Sequence, residues 1–134
     1  MNTAVRFKKD NTLKRDWDVI REILVRLEAS ATPNTVLDMN AFDKQDPQNV
    51  AYNMRILDED GLIEARINSS SQGNGLIDMA QALRLTPRGH DLLDSIRNET
   101  VWKKTISIFK SKGLEMTTDL VISVGKKVMK DMLF

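Results

Sequence analysis

Apolar side chains recur at three- and four-residue steps in five stretches of the chain, and this spacing predicts amphipathic helices. The stripe of the first stretch contains Trp17 and Leu27, and the stripe of the fourth contains Trp102. Because both tryptophans lie on apolar stripes, we expect them to be structural. The predicted helices cover residues 15–28, residues 46–60, a segment starting at Pro87, residues 101–111, and a segment from Thr117 or Thr118 to residue 134.

The segments around the second helix predict a small β-structure. Residues 62–67 and 80–85 have strand patterns, and the polar tip 68–75 between them predicts a hairpin with a long loop. A minor strand is expected at residues 35–37. Residues 38–45 are too few and too polar for more than one helical turn.

Helix, minor strand, helix, strand, loop, strand is the element order of a winged helix-turn-helix domain. The predicted fold is therefore mainly α with a small β-hairpin, a winged helix-turn-helix-like domain with additional C-terminal helices. We assign residues 1–14 to a basic N-terminal arm and residues 15–99 to the winged-helix-like domain. Residues 100–134 form a C-terminal helical extension that packs on this domain or provides a dimer contact.

Composition excludes several classes of protein. The 134 residues have a net charge of +1 and no cysteine, which excludes disulfides, thiolate metal sites and a cysteine nucleophile. No apolar run approaches the ~20 residues that span a bilayer, so we expect a cytoplasmic protein with no membrane partner. The single histidine, His90, lies off the apolar stripe and has no predicted nucleophile or metal partner. We therefore expect a non-enzymatic protein with no catalytic residue, no metal and no cofactor.

Three blocks of sequence, in this order, resemble a bacterial and prophage family, the domain-of-unknown-function family 2513. The blocks are KRDWDVIREIL at residues 14–24, YNMRIL leading to GLIEA at 52–65, and LTPRGHDLLDSIR followed by TVW at 85–102. The basic arm precedes the usual start of that family's pattern. The resemblance implies a winged-helix-like fold and a phage setting, and it implies no reaction or ligand.

The helix 46–60 occupies the place of the recognition helix of a winged-helix domain, which enters the DNA major groove. Amide and guanidinium groups form hydrogen bonds with base edges, and a tyrosine hydroxyl or a further arginine reaches phosphate. This interpretation predicts a DNA- or partner-binding site formed by Gln48, Asn49, Tyr52, Arg55, Arg66, Arg84 and Arg88.

The charge around this helix favours a different partner. Residues 16–64 contain eleven acidic and four basic residues, a local net charge of −7. Such a surface repels the phosphates that provide most duplex affinity. Two alternatives follow. The leading hypothesis is a phage-associated winged-helix regulator that binds duplex DNA through helix 46–60 and the wing, and its rival is a module whose acidic face binds a basic host or phage protein. Positive charge lies instead in the C-terminal helices, in the arm at Arg6, Lys8, Lys9 and Lys14, and at Arg15 directly after the arm.

The last predicted helix has an apolar arc of about half its circumference, which is more than one supporting surface needs. Methionine-rich helix faces also serve partner binding in other proteins. We therefore expect a homodimer. The alternative is a helix buried on two sides within its own chain. The predicted dimer contact consists of Val121, Val124, Val128 and Met132.

Overall fold

The computed structural model describes residues 14–30, 32 and 34–134. The predicted basic arm therefore lies outside the described residues, apart from Lys14. The described part is mainly helical, with five α-helices and one small antiparallel sheet. In chain order the elements are α1 (Trp17–Glu28), β1 (Leu37–Asp38), α2 (Pro47–Glu59), β2 (Ile63–Ser69), β3 (Ile77–Leu85), α3 (Pro87–Ile96), α4 (Glu99–Lys112) and α5 (Thr118–Leu133).

Every helix begins after a residue whose side chain accepts a hydrogen bond from a backbone N–H of the first turn. Proline occupies the first turn of α2 and α3, where its missing N–H costs no hydrogen bond. Gly113 ends α4 in the left-handed conformation, at a φ of 64°. The capping residues are Asp16, Asp46, Thr86, Asn98 and Thr117.

The sheet has the strand order β1-β3-β2 with antiparallel neighbours. One 3-10 turn, Met39–Ala41, stands between β1 and α2, which confirms that the segment 38–45 forms no more than one turn. Strand β3 starts at Ile77, three residues earlier than predicted. The prediction missed this start because Asp78 interrupts the apolar run, whereas in the structure Asp78 is exposed on a strand that has one buried face.

The main core lies between the sheet and the helices α1, α2 and α3, and its side chains include Ile20, Met54 and Leu92, all 1% exposed or less. Helix α3 approaches the chain just before β2 very closely. A β-carbon at Gly89 would lie 1.9 Å from the carbonyl oxygen of Leu62. The missing side chain of Gly89 is therefore what lets the two backbones come this close.

Helices α4 and α5 pack on the rest of the described chain rather than standing apart from it. Trp17 of α1 and Trp102 of α4 lie side by side, with ring centroids 6.3 Å apart. The indole nitrogen of Trp17 donates a hydrogen bond to the carbonyl oxygen of Met116, at 3.1 Å. Both tryptophans are therefore structural, as predicted. None of the helices in the described part is long and apolar enough to cross a membrane.

Candidate functional site

The polar face of α2 is held by the loop end of the β2–β3 hairpin. The Gln48 Nε2 donates to the carbonyl oxygen of Ile77 at 2.8 Å, and the Gln48 Oε1 accepts from the Ile77 N–H at 3.0 Å. Arg55 donates to the Ser69 hydroxyl at 3.0 Å, and Tyr52 is half-buried. The Gln48 amide thus serves as a hydrogen-bonding partner for the first residue of β3, and both of its polar atoms are used within the chain.

Asn49, the second predicted base reader, belongs to a hydrogen-bond network at the start of α1. Its Nδ2 donates to the Asp16 carboxylate at 3.2 Å. The carbonyl and side-chain oxygens of Asn49 both accept from Asn53, at 2.9 and 3.2 Å. Asn49 therefore joins the first turn of α2 to the N-cap of α1, which is an internal role.

The centre of that network is Asn53, a residue that sequence reasoning did not identify. Its side chain is fully buried, and its Oδ1 accepts from the Asp16 N–H at 2.8 Å. Its Nδ2 also donates to the carbonyl oxygen of Lys14 at 3.3 Å. The signal was present in the sequence, because Asn53 lies three residues after Val50 and four before Leu57, on the buried stripe of α2. A polar residue on a buried stripe requires a partner.

The hairpin arginines differ in how their charge is balanced. The Nε and one Nη of Arg84 both donate hydrogen bonds to the Glu64 carboxylate. This pair lies at the end of the hairpin opposite the loop. The hydrogen bond from Arg84 lowers the pKa of Glu64 below its ordinary value. Arg66 is exposed, and within the described residues it forms no ion pair.

Arg88 is bound by two carboxylates from different parts of the chain. It contacts Asp119 at 3.2 Å and Asp60 at 3.4 Å. The hydrogen bond with Asp119 is the chief cause that raises the pKa of Arg88, with Asp60 adding to it. Arg84 and Arg88 therefore join elements of the fold, and of the three predicted arginines near the wing only Arg66 has no acidic partner in the described part of the chain.

Four acidic residues flank α2, and we call them the α2 carboxylates: Asp43 and Asp46 before the helix, Asp58 and Glu59 in its last turn. Asp46 and Asp58 accept backbone N–H groups, at 3.3 and 3.1 Å, which leaves their negative charge in place. Asp43 and Glu59 are exposed. In the described part of the chain none of the four forms an ion pair. The C-terminal end of a helix is itself negative, so Asp58 and Glu59 strengthen the negative potential there.

His90 lies at a cleft of about 420 Å³ beside the C-terminal end of α1. His90 is exposed, and no hydrogen bond to its ring is present among the described residues. Two charged groups at the cleft are engaged, Arg84 by Glu64 and Glu28 by Arg97. No three metal-binding side chains are grouped within the described ranges. The lining consists of Leu27, Glu28, Ser30, Thr32, Leu83, Arg84, Leu85 and His90.

The structure corrects the predicted dimer contact on α5. Val121 and Val128 are 0% and 5% exposed, because α5 crosses α3 and also packs on α4, and Val128 lies on the side that faces α4. At the crossing, a β-carbon on Gly125 would lie 2.4 Å from the carbonyl oxygen of Ser95. Val124 is partly buried against the core, and Met132 alone of the four remains 47% exposed. Most of the predicted contact is thus an internal packing surface.

Comparison with known proteins relates the chain to one family. The family model described as Hypothetical protein (DUF2513) matches residues 14–115. A relative from Haemophilus influenzae, described as an uncharacterized protein, is 39% identical over 121 residues, which cover 90% of this chain and 99% of the relative. No solved structure matches this chain.

Proposed function

This chain belongs to the family Hypothetical protein (DUF2513), and from the surface around α2 we propose that it is a non-enzymatic protein-interaction module of winged-helix type. The partner is a host or phage protein that presents a basic segment. The observation that carries the proposal is the state of α2: its amide side chains are hydrogen-bonded within the chain, while the α2 carboxylates at its two ends have no cationic partner among the described residues.

The element order supports the winged-helix part of the proposal. Helix α1, the short β1, helix α2 and the β2–β3 hairpin follow one another as in a winged helix-turn-helix domain. The 3-10 turn Met39–Ala41 stands where such a domain has its second helix. The loop of residues 70–76 then corresponds to the tip of the wing.

The charge around α2 supports a protein partner. A duplex must place phosphates along a recognition helix, and carboxylates at both ends of that helix oppose this contact. Lysine and arginine side chains of a protein segment find complementary charge there, which speeds association and selects the partner. The helix has 13 residues, so at about 1.5 Å per residue its ends are roughly 20 Å apart. A basic helix, or an extended segment of about six residues, spans that distance.

Duplex DNA remains the second candidate, and one observation favours it. Asn53 holds the carbonyl oxygen of Lys14 and the N–H of Asp16, so the chain at the base of the basic arm lies against the first turns of α2. Lys14 therefore adds positive charge beside this helix. A DNA-binding mode would combine it with Arg55 and Arg66 of the α2–hairpin side.

The two candidates separate in a capture experiment. The full chain is immobilised and incubated with bacterial host lysate, with and without nuclease, and bound proteins are identified. We expect a basic protein that remains bound after nuclease treatment and is lost from the Asp43→Asn/Glu59→Gln variant. The Glu99→Gln/Glu115→Gln variant has the same change of charge in the C-terminal half and should retain it. Equal capture by both variants contradicts the protein-partner proposal.

The DNA candidate is tested directly by fluorescence anisotropy with labelled duplexes at low salt. If DNA is the ligand, affinity falls steeply as salt rises, and Arg66→Ala weakens all sequences alike. Arg55→Ala would in addition reduce discrimination between sequences. A folded protein that binds no duplex at low salt excludes this candidate.

A further inference from the structure

The helices α4 and α5 form an open groove between the middle of α4 and the C-terminal end of α5. It has a volume of about 380 Å³ and contains the apolar side chains of Ile108, Val128 and Met132. Lys104 and Ser107 line it from α4, and Asp131 lines it from α5. We call it the α4–α5 groove. The floor of the groove is apolar, its rim on α4 is positive at Lys104, and its rim on α5 is negative at Asp131.

Large apolar side chains stand next to this groove. Met132 is 47% exposed, Leu133 is 78% exposed and Phe134 is 96% exposed. In a two-fold contact each copy offers the same patch to the other, so the patch must be complementary to itself. A groove beside exposed apolar side chains meets this condition, because the side chains of one copy can fill the groove of the other. We propose that the α4–α5 groove is the contact of a homodimer, in which Leu133 and Phe134 of each copy enter the groove of the other.

The charges of the rims fit the same arrangement. Lys104 forms no ion pair within the described residues. Among the described residues, the Asp131 carboxylate forms an ion pair only with Lys127, at 3.7 Å. The Lys127 side chain is 77% exposed and that of Asp131 is 67% exposed. Across a two-fold axis, Lys104 of one copy faces Asp131 of the other, and the pair occurs twice. A second copy of this chain therefore complements the groove in both apolar shape and charge.

This contact shares Val128 and Met132 with the stripe predicted on α5 and extends beyond it to Leu133 and Phe134. Val121, the first residue of that stripe, is fully buried and supports the fold. The contact is also separate from the α2 carboxylates, so dimerisation and the binding of a basic partner are independent properties that different variants test. Because the groove and the two C-terminal side chains comprise only a few residues per copy, against roughly 20–30 in a standard interface, we expect a weak dimer with a Kd on the order of 10–100 µM.

Sedimentation equilibrium of the full chain tests the proposal. We expect the wild type to associate, and Met132→Glu to weaken the dimer at least tenfold because it places a charge on the apolar floor. The matched control is Leu120→Glu, since Leu120 is 44% exposed on the same helix but lies in its first turn. Far-UV circular dichroism and melting of each variant establish that it is folded. A wild type that is monomeric throughout this concentration range, or equal effects of Met132→Glu and Leu120→Glu, overturns the proposal.

A charge exchange tests the two-fold arrangement itself. Lys104→Glu and Asp131→Lys each place like charges across the axis, so each should weaken association severalfold. The double variant restores opposite charges and should return to within about threefold of the wild type. A double variant that is weaker than either single variant overturns the proposed register.

Discussion

At the scale of single residues, Thr105 is the least expected side chain of the core. It is fully buried, and its hydroxyl has no hydrogen-bond partner among the described residues. Burying an unpaired hydroxyl costs free energy, whereas valine has nearly the same shape without the polar group. We expect Thr105→Val to raise the free energy of unfolding by about 1–2 kcal/mol, as measured by urea denaturation.

Thr118 provides the matched control for that substitution. It is also buried, but its hydroxyl donates to the Asp60 carboxylate at 2.8 Å. Thr118→Val should therefore destabilise the protein by about 1–3 kcal/mol, because it leaves a charged acceptor with one donor fewer. If both variants lose stability, the Thr105 hydroxyl has a partner after all.

Glu64 gives a residue-scale prediction about pH. Because Arg84 stabilises the ionised carboxylate, the pKa of Glu64 lies below its ordinary value of 4.5. The stabilisation from this pair is present above the pKa of the unfolded chain and is lost as the pH falls through the lower pKa of the folded chain. Carboxyl carbon shifts followed by NMR should show the lowered pKa in the wild type and in Arg66→Met, and a return towards 4.5 in Arg84→Met. An unchanged pKa in Arg84→Met would refute this cause.

At the scale of elements, the crossing of α3 and α5 depends on a glycine that the sequence did not mark. Glycine inside a helix is normally less favourable than alanine by roughly 1 kcal/mol, so helix propensity alone predicts that Gly125→Ala stabilises the protein. The structure predicts the opposite sign. A methyl group at position 125 would meet the Ser95 carbonyl oxygen at 2.4 Å, and backbone cannot move aside cheaply.

We therefore expect Gly125→Ala to reduce the free energy of unfolding by about 1–3 kcal/mol, the usual cost of overpacking. Ser123→Ala on the exposed side of α5 is the control and should change it little. Thermal melting of both variants measures the difference. A stabilised Gly125→Ala protein would mean that α5 does not cross α3 as closely as the structure has it.

The elements with local signals could be predicted from the sequence. The pair Asp46 and Pro47 marks the start of α2, the pair Thr86 and Pro87 marks that of α3, and Gly113 marks the end of α4. These signals act within one turn of chain, so the sequence near each boundary is sufficient. The start of β3 was missed because its pairing with β2 and Gln48, rather than an apolar run, defines the first three residues.

The candidate site was less predictable, because its state depends on partners far along the chain. A helical wheel places Gln48 and Asn49 towards solvent, but it contains no information about Ile77 or Asp16, which satisfy their amides. Likewise the basic character of Arg84 and Arg88 could be counted in advance, whereas the carboxylates that bind them lie 20 to 31 residues away in sequence. Long-range hydrogen bonds decide which polar residues remain available to a partner.

At the scale of the whole molecule, the contacts between α1 and the C-terminal helices determine how many folding units the described chain contains. Trp17 and Arg15 both donate to the carbonyl oxygen of Met116, and Trp17 packs beside Trp102. Arg21 of α1 donates to the carbonyl oxygen of Ile96 at the end of α3. Residues 100–134 are thus joined to the start of the domain, although they are far from it in sequence.

We therefore expect the chain to unfold as one cooperative unit. Both tryptophans lie at the junction, so their fluorescence reports loss of that contact, while far-UV circular dichroism reports the helices, including the five that the structure describes. Urea denaturation followed by the two signals should give one shared midpoint, since two-state unfolding requires coincident transitions. Trp102→Ala should lower the free energy of unfolding by ~3–5 kcal/mol, and Trp17→Ala by less because Trp17 is half-buried. In both variants the remaining tryptophan and the dichroism should still change together. Two separate midpoints in the wild type would instead show that the C-terminal helices form an independent unit, and the tryptophan contact would then be a weak link rather than part of the core.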